Sequence, residues 1–311
     1  MLSTIQEKKN VFRLLQTGQI ENIFLGLEIV KSLQIDIEEF TEDIKILYQW
    51  STNQKKKKMS LVSMLVYLFA NDSLTISVDG QPAIPPQIHY LAHLTSLSLS
   101  NRKTLHIPSE IGQIANLKKL YIHHTHLTSL PSAIGNLRQL EFLWARSNHI
   151  EHLPEAIGQL EELKVLLLDY NSLKELPSEI VQLKNLVTFE LHNNQLQKLP
   201  YHIDRLSSLE NFKLSTNNLQ SLPDEIGNLS KLRLLSIDNN QLASIPKSIG
   251  DLHNLEELRI QHNQLTSLPE EICFLSKLKT IQLHDNPGSE YMQEQVRHWL
   301  PNCETDFDLP F

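Results

Sequence analysis

The sequence predicts an α/β solenoid, in which short strands stack coil upon coil into one parallel sheet between helical ends. Three observations carry this expectation. Nine prolines, each preceded by Leu or Ile, stand at Pro85, Pro108, Pro131, Pro154, Pro177, Pro200, Pro223, Pro246 and Pro269, and the interval between them never varies. Counted from each proline the same places stay apolar: Ile88, Ile111, Ile134 and their successors three residues on, then aliphatics such as Leu160, Leu163, Leu166 and Leu168 in the fourth unit. Seventeen residues on, an asparagine recurs at Asn148, Asn171, Asn194, Asn217, Asn240, Asn263 and Asn286. Internal repetition with a period of about 20–50 residues marks a stacked architecture.

Each part of the unit has a physical reason. The alternation of Leu166 and Leu168 is the period of a strand whose apolar side chains face one side. One such strand per coil, laid on its neighbours, makes a parallel sheet with a spacing of about 4.8 Å. The turn that follows buries backbone groups with no strand partner, and an asparagine amide can both donate to and accept from them. Proline and glycine shape the return on the convex side, where Ile180 and Leu183 plug the core from behind. No single coil of this length covers its own apolar face, so several must stack. Arg102 and Thr125 stand where asparagine is expected and Thr104 where an apolar residue is expected, which predicts an irregular first coil.

The unit L-P-x-x-I-G-x-L-x-x-L-x-x-L-x-L-x-x-N-x-L spans residues 85–286. It resembles the leucine-rich repeat, in the version found in bacterial leucine-rich-repeat proteins and in intracellular scaffolds of Ras signalling. The resemblance implies a horseshoe of about nine 23-residue repeats with the parallel sheet on its concave face. It also implies a non-catalytic protein–protein interaction module.

The ends have to cover the apolar faces of the stack. Residues 1–80 read as a helical N-terminal region or cap, 81–286 as the repeat domain and 287–311 as a short helical C-terminal cap. Ser3 or Thr4 is a candidate cap for a helix ending before Gly18, and Asn22 for another running to about Leu33. Asp36–Trp50 is amphipathic, with Ile37, Phe40, Ile44 and Leu47 on one face. Met59–Ala70 is apolar and follows Lys55, Lys56, Lys57 and Lys58. Its twelve residues fall short of the roughly 20 that span a bilayer, so a buried cap helix is expected. Leu74–Val78 reads as a strand pairing with the first repeat, and Ser289–Leu300 as a final helix stopped by Pro301.

Composition narrows the function. The 311 residues carry a net charge of −8, of which residues 81–311 contribute most, with 19 basic and 26 acidic side chains. That balance disfavours nucleic acid, whose binding needs clustered cations. Two cysteines, Cys273 and Cys303, make no disulfide framework and read as free thiols. The first residues carry no secretory pattern, which makes a cytoplasmic protein the expectation, with non-classical secretion as the alternative.

Strand positions between the core leucines point away from the core and are free to report function. In repeats two to four they gather Tyr121, Phe142, Trp144, Val165 and Leu167, with Tyr170 beside them. Apolar clusters facing solvent mark contact surfaces. Arg146, Asp169, His123 and His124 are expected to border the cluster as a polar rim, and Tyr, Trp and Arg are the hot-spot residue types. The alternatives are that the N-terminal region folds back over this patch or that the chain self-associates through it. From Glu190 and Lys213 onward the lanes become polar and mixed in sign.

No phosphate loop, zinc-protease helix or kinase signature occurs. His123, His124, His126 and His149 lack carboxylate or thiol ligands at a suitable spacing and read as surface histidines, and Cys303 as no nucleophile. No catalytic residue, metal or cofactor is therefore expected. The expected partner is a protein bound on the concave face. The competing readings are a regulatory scaffold for a signalling enzyme, which the Ras-type resemblance implies, and a secreted effector or adhesin.

Overall fold

A computed structural model describes residues 10–11, 13–15, 17, 19–32, 37–52, 61–77, 83–100 and 106–305. Arg102, Thr104, Val78, Lys55–Lys58, Met59 and the Ser3, Thr4 and Gly18 positions lie outside them, as do the side chains of Ile37 and Phe40. Among the described residues, eleven strands form one sheet in chain order, every neighbour parallel. The strands are β1 (Ser73–Ser77), β2 (Ser96–Ser100), β3 (Lys119–His123), β4 (Phe142–Trp144), β5 (Val165–Leu167) and β6 (Thr188–Glu190), followed by β7 (Asn211–Lys213), β8 (Leu234–Ser236), β9 (Glu257–Arg259), β10 (Thr280–Gln282) and β11 (Glu304–Thr305).

The register repeats the sequence period. Phe142 pairs with Val165, Val165 with Thr188 and Thr188 with Asn211, a step of one whole repeat each time. Buried and more exposed residues alternate along β2 to β7, β9 and β10, so Leu97 and Leu99 point into the core while Ser96, Ser98 and Ser100 do not. Strand β1 adds a coil before the first proline, and β11 joins β10 with a step one residue longer than the repeat, Thr280 facing Glu304. The sequence pattern did not reveal β11.

The asparagines form the expected ladder. Asn171 Nδ2 donates to Ala145 O of the preceding coil at 3.0 Å and to Leu168 O of its own at 2.9 Å, while its Oδ1 accepts from Ile150 N at 3.0 Å. Asn194, Asn217, Asn240, Asn263 and Asn286 repeat these three bonds. At the departure from the pattern, Thr125 is buried and donates through both N and Oγ1 to Asn148 Oδ1, so the next rung serves for the missing one.

Short 3-10 turns line the convex side, most of them starting directly after the proline. The glycine of the unit stands where coils touch: a Cβ on Gly112, Gly135, Gly158, Gly227 or Gly250 would lie 2.1–2.5 Å from a carbonyl oxygen of the next coil. Val181 takes the place of this glycine in the fifth coil. The chain opposite it responds: His202 turns left-handed (φ 60°, ψ 32°) and the 3-10 turn shrinks to Ile203–Arg205. Between these coils a cleft of about 690 Å³ opens, with Val181, Pro200, Tyr201 and Arg205 in its walls.

Helices α1 (Ile20–Ser32), α2 (Ile37–Thr52) and α3 (Leu61–Phe69) cover the first coils. Asn22 sits inside the first turn of α1, not before it, and its side chain donates to Thr17 Oγ1 and Gln19 Oε1. Ile44 and Leu47 of α2 are buried, and Asp43 accepts from Gln87 Nε2 (3.0 Å) and Tyr90 Oη (3.1 Å), which ties the helix to the first convex turn. Met64, Leu65, Leu68 and Phe69 bury α3 in the same core that runs on into the repeats. Among the described residues no helix is long and apolar enough to cross a membrane. Helix α4 (Ser289–Trp299) closes the other end through Met292 and Val296.

Two substitutions test this account. Asn194→Ala strands the Leu173 amide and takes one of two asparagine bonds from each of the Leu168 and Leu191 carbonyls, and should cost about 1–3 kcal/mol in urea unfolding. Gly227→Ala places a methyl against Ser248 O and should cost a similar amount, about 1–3 kcal/mol, by overpacking. An unchanged urea midpoint in either variant would remove the corresponding contact from the list of constraints.

Candidate functional site

The concave sheet carries the sequence-predicted patch as one cluster. Tyr121 pairs with Trp144 and Phe142 with Val165 one register step along, and Trp144 with Leu167 the next. The rings meet: centroids lie 5.4 Å apart for Tyr121 and Phe142, 6.0 Å for Tyr121 and Trp144, and 6.3 Å for Phe142 and Trp144. All five are half-buried, because alternate positions on β3 to β5 send them away from the leucine core. Offset aromatic groups at these distances attract beyond simple area burial, by about 0.5–1.5 kcal/mol a pair. Trp144 Nε1 is hidden from solvent and has no hydrogen-bond partner.

The rim differs from its expected form. The Asp169 carboxylate is not at the surface: its side chain is 0% exposed, and Arg146 Nε lies 2.8 Å from its Oδ2. Arg146 and His192, at the same position of the coils on either side, lie 2.8 Å and 3.5 Å from its Oδ2 and cover it, while Tyr170 next to it is 48% exposed. Burial raises the Asp169 carboxyl above the ordinary aspartate range, against the opposing pull of His192 and Arg146. Asp169 therefore acts from below, holding Arg146 between Trp144 and Tyr170, with the guanidinium 5.8 Å from each ring. His123 does border the cluster, 6.0 Å from Trp144, and burial lowers its pKa; His124 is exposed.

Sequence reasoning missed His192, whose ring stacks edge-on against Tyr170 at 5.3 Å and whose Nε2 lies 3.5 Å from Asp169 Oδ2. The register signal was present, since His192 follows Asp169 by one full repeat. Asp169, Glu190 and His192 lie close enough to share a metal ion. Arg146 already faces Asp169, however, and Lys213 Nζ lies 2.7 Å from Glu190, so both carboxylates are neutralised by fixed cations. His126 and His149 face each other at 2.9 Å without joining any group of three metal-ligand side chains among the described residues. Both cysteines are free; burial pushes the Cys303 thiol up to about 11, which leaves it a poor nucleophile at neutral pH.

Among the described residues, the main contacts of the N-terminal helices run to β1 and to the first convex turn, in the coils before that of Tyr121.

Comparison with known proteins gives a consistent answer. Three family models match: a leucine-rich repeat region over residues 134–238, and leucine-rich repeats over 230–287 and 116–137. No curated protein matches the chain. Among solved structures, the leucine-rich-repeat ectodomain of the plant membrane receptor kinase GASSHO1/SCHENGEN3 from Arabidopsis thaliana, in complex with CASPARIAN STRIP INTEGRITY FACTOR 2, is 27% identical over 77% of this chain and 33% of its own, with a TM-score of 0.60. A TDR receptor is 29% identical over 75% of this chain and 46% of its own, with a TM-score of 0.56. A leucine-rich-repeat protein of Leptospira interrogans is 27% identical over 88% of this chain and 98% of its own, with a TM-score of 0.38. The chain thus spans a third to a half of the receptors it resembles. The parallel sheet, its constant register, the asparagine ladder and the three adjoining family matches agree: this chain is a leucine-rich-repeat protein.

Proposed function

We propose that the chain is a non-catalytic protein-recognition module that seats one protein partner on the concave face, centred on Trp144. The observation that carries this reading is a contiguous apolar and aromatic surface, Tyr121, Phe142, Trp144, Val165 and Leu167, on the side of the sheet the core does not use. Around it stand Arg146 and Tyr170, held in place from beneath by Asp169. The half-buried rings are suited to a partner's apolar side chains, and the part-exposed cation clamped between two rings to its carboxylate. The GASSHO1/SCHENGEN3 ectodomain was solved with a bound factor, which supports recognition as the use of such a surface. The repeat motif resembles that of bacterial and Ras-group members of the family, and a role positioning a signalling enzyme would be one form of the same recognition.

The test is a double substitution, Trp144→Ala with Leu167→Asp. Affinity capture from the native organism should recover a partner with the wild type and lose it with the double variant, while circular dichroism and melting temperature stay nearly unchanged. Removal of one hot-spot residue costs about 2 kcal/mol or more, about 30-fold in affinity. Tyr201→Ala on the convex side should leave capture intact. If the double variant still recovers the same partner, the concave patch is not the site.

A further inference from the structure

A second cluster of ligand-bearing side chains lies far from the aromatic patch, where β9 and β10 run into their turns. We propose that His262, His284 and Asp285 form a binding site for a divalent transition-metal ion of the zinc type. His262 Nδ1 lies 3.3 Å from Asp285 Oδ2, and His284 Nε2 lies 3.7 Å from the same oxygen. The three ligand atoms all fall within 4.8 Å of one another. Around a tetrahedral metal bonded at about 2.0–2.1 Å, neighbouring ligand atoms are about 3.3–3.4 Å apart. The imidazole–carboxylate distances are therefore close to the edges of such a tetrahedron, and small side-chain rotations suffice to complete it.

Charge separates this cluster from the one at Asp169. There, Arg146 and Lys213 supply the positive charge that a metal would bring. Here, among the described residues, the ion-pair contacts of Asp285 are with the two imidazoles alone. A dication is the partner that suits two imidazole nitrogens and one carboxylate together.

The backbone beneath the ligands is fixed. His262 N donates to His284 O at 3.0 Å. Each turn is also pinned by a ladder asparagine immediately after a ligand, Asn263 after His262 and Asn286 after Asp285. A site whose ligands sit on rigid elements loses little entropy on binding. The side chains remain 43%, 41% and 63% exposed, so a fourth position faces solvent and takes water or a donor atom from another molecule.

Zn²⁺ titrated into the full chain by calorimetry should show one saturable site. His262→Ala, His284→Ala and Asp285→Asn should each weaken it on the order of tenfold or more, whereas His192→Ala, at the neutralised cluster, should leave it unchanged. Co²⁺ should give visible ligand-field absorption that Asp285→Asn abolishes. Metal-free melting temperatures of the variants should match the wild type, so that lost binding is not lost folding. Absence of saturable Zn²⁺ uptake, or uptake that His262→Ala and Asp285→Asn leave in place, would overturn the site and show the cluster to be a set of ordinary histidine–aspartate ion pairs.

Discussion

The asparagine ladder is the constraint on which the rest of the molecule depends. Strand ends in a solenoid carry carbonyls and amides that have left the sheet but not yet reached solvent, and each one left unpaired costs more than a typical hydrogen bond returns. One asparagine per coil pairs two carbonyls and an amide at this point, reaching into its own coil and the one before. The bond set recurs from Asn171 to Asn286 with distances of 2.9–3.1 Å, so the turns after the strands are nearly superimposable. That uniformity makes the concave lanes straight, and straight lanes bring side chains from successive repeats into contact. Tyr121, Trp144 and Leu167 form a cluster because of it, and so do His262 and Asp285.

The convex side obeys a second, independent constraint. Glycine after isoleucine lets adjacent coils approach until a carbonyl occupies the place a Cβ would take. Where Val181 stands instead, the neighbouring chain gives way by a left-handed His202, a conformation that costs a β-carbon-bearing residue about 1–2 kcal/mol. Phe189 and Phe212, stacked at 5.6 Å in the core of the same two coils, fill the interior with larger rings than the leucines of other coils provide. Inner and outer departures thus coincide at one seam.

The repeat was legible because period and chemistry agreed: prolines, aliphatics and asparagines each kept the same spacing, and the observed pairing follows it. The helical ends were legible from amphipathic spacing, as Ile44, Leu47, Met64 and Leu68 show by their burial. The concave residues were also legible, since an alternating strand assigns each side chain a face. Two things were not. Strand β11 is two residues long, too short to carry a pattern of its own. The strand rule extended two residues past β5 makes Asp169 a rim residue, whereas Arg146 and His192, reaching over from the coils on either side, cover it. The histidine–aspartate trio was within reach of the same register arithmetic, but only for residues compared across coils rather than along the chain.

The seam at Val181 also has a mechanical meaning. In a stack where each coil touches only its neighbours, bending is shared among the joints according to how tightly each is packed. Five joints are locked by carbonyls seated on glycine, whereas the joints on either side of the sixth coil have Val181 and Asp204 at that place, and an open cleft lies along them. The horseshoe is therefore built as two stiffer arcs joined by a softer turn. The aromatic cluster around Trp144 belongs to one arc and the His262 trio to the other. Widening or narrowing the curvature would change the distance between them while leaving the geometry of each intact.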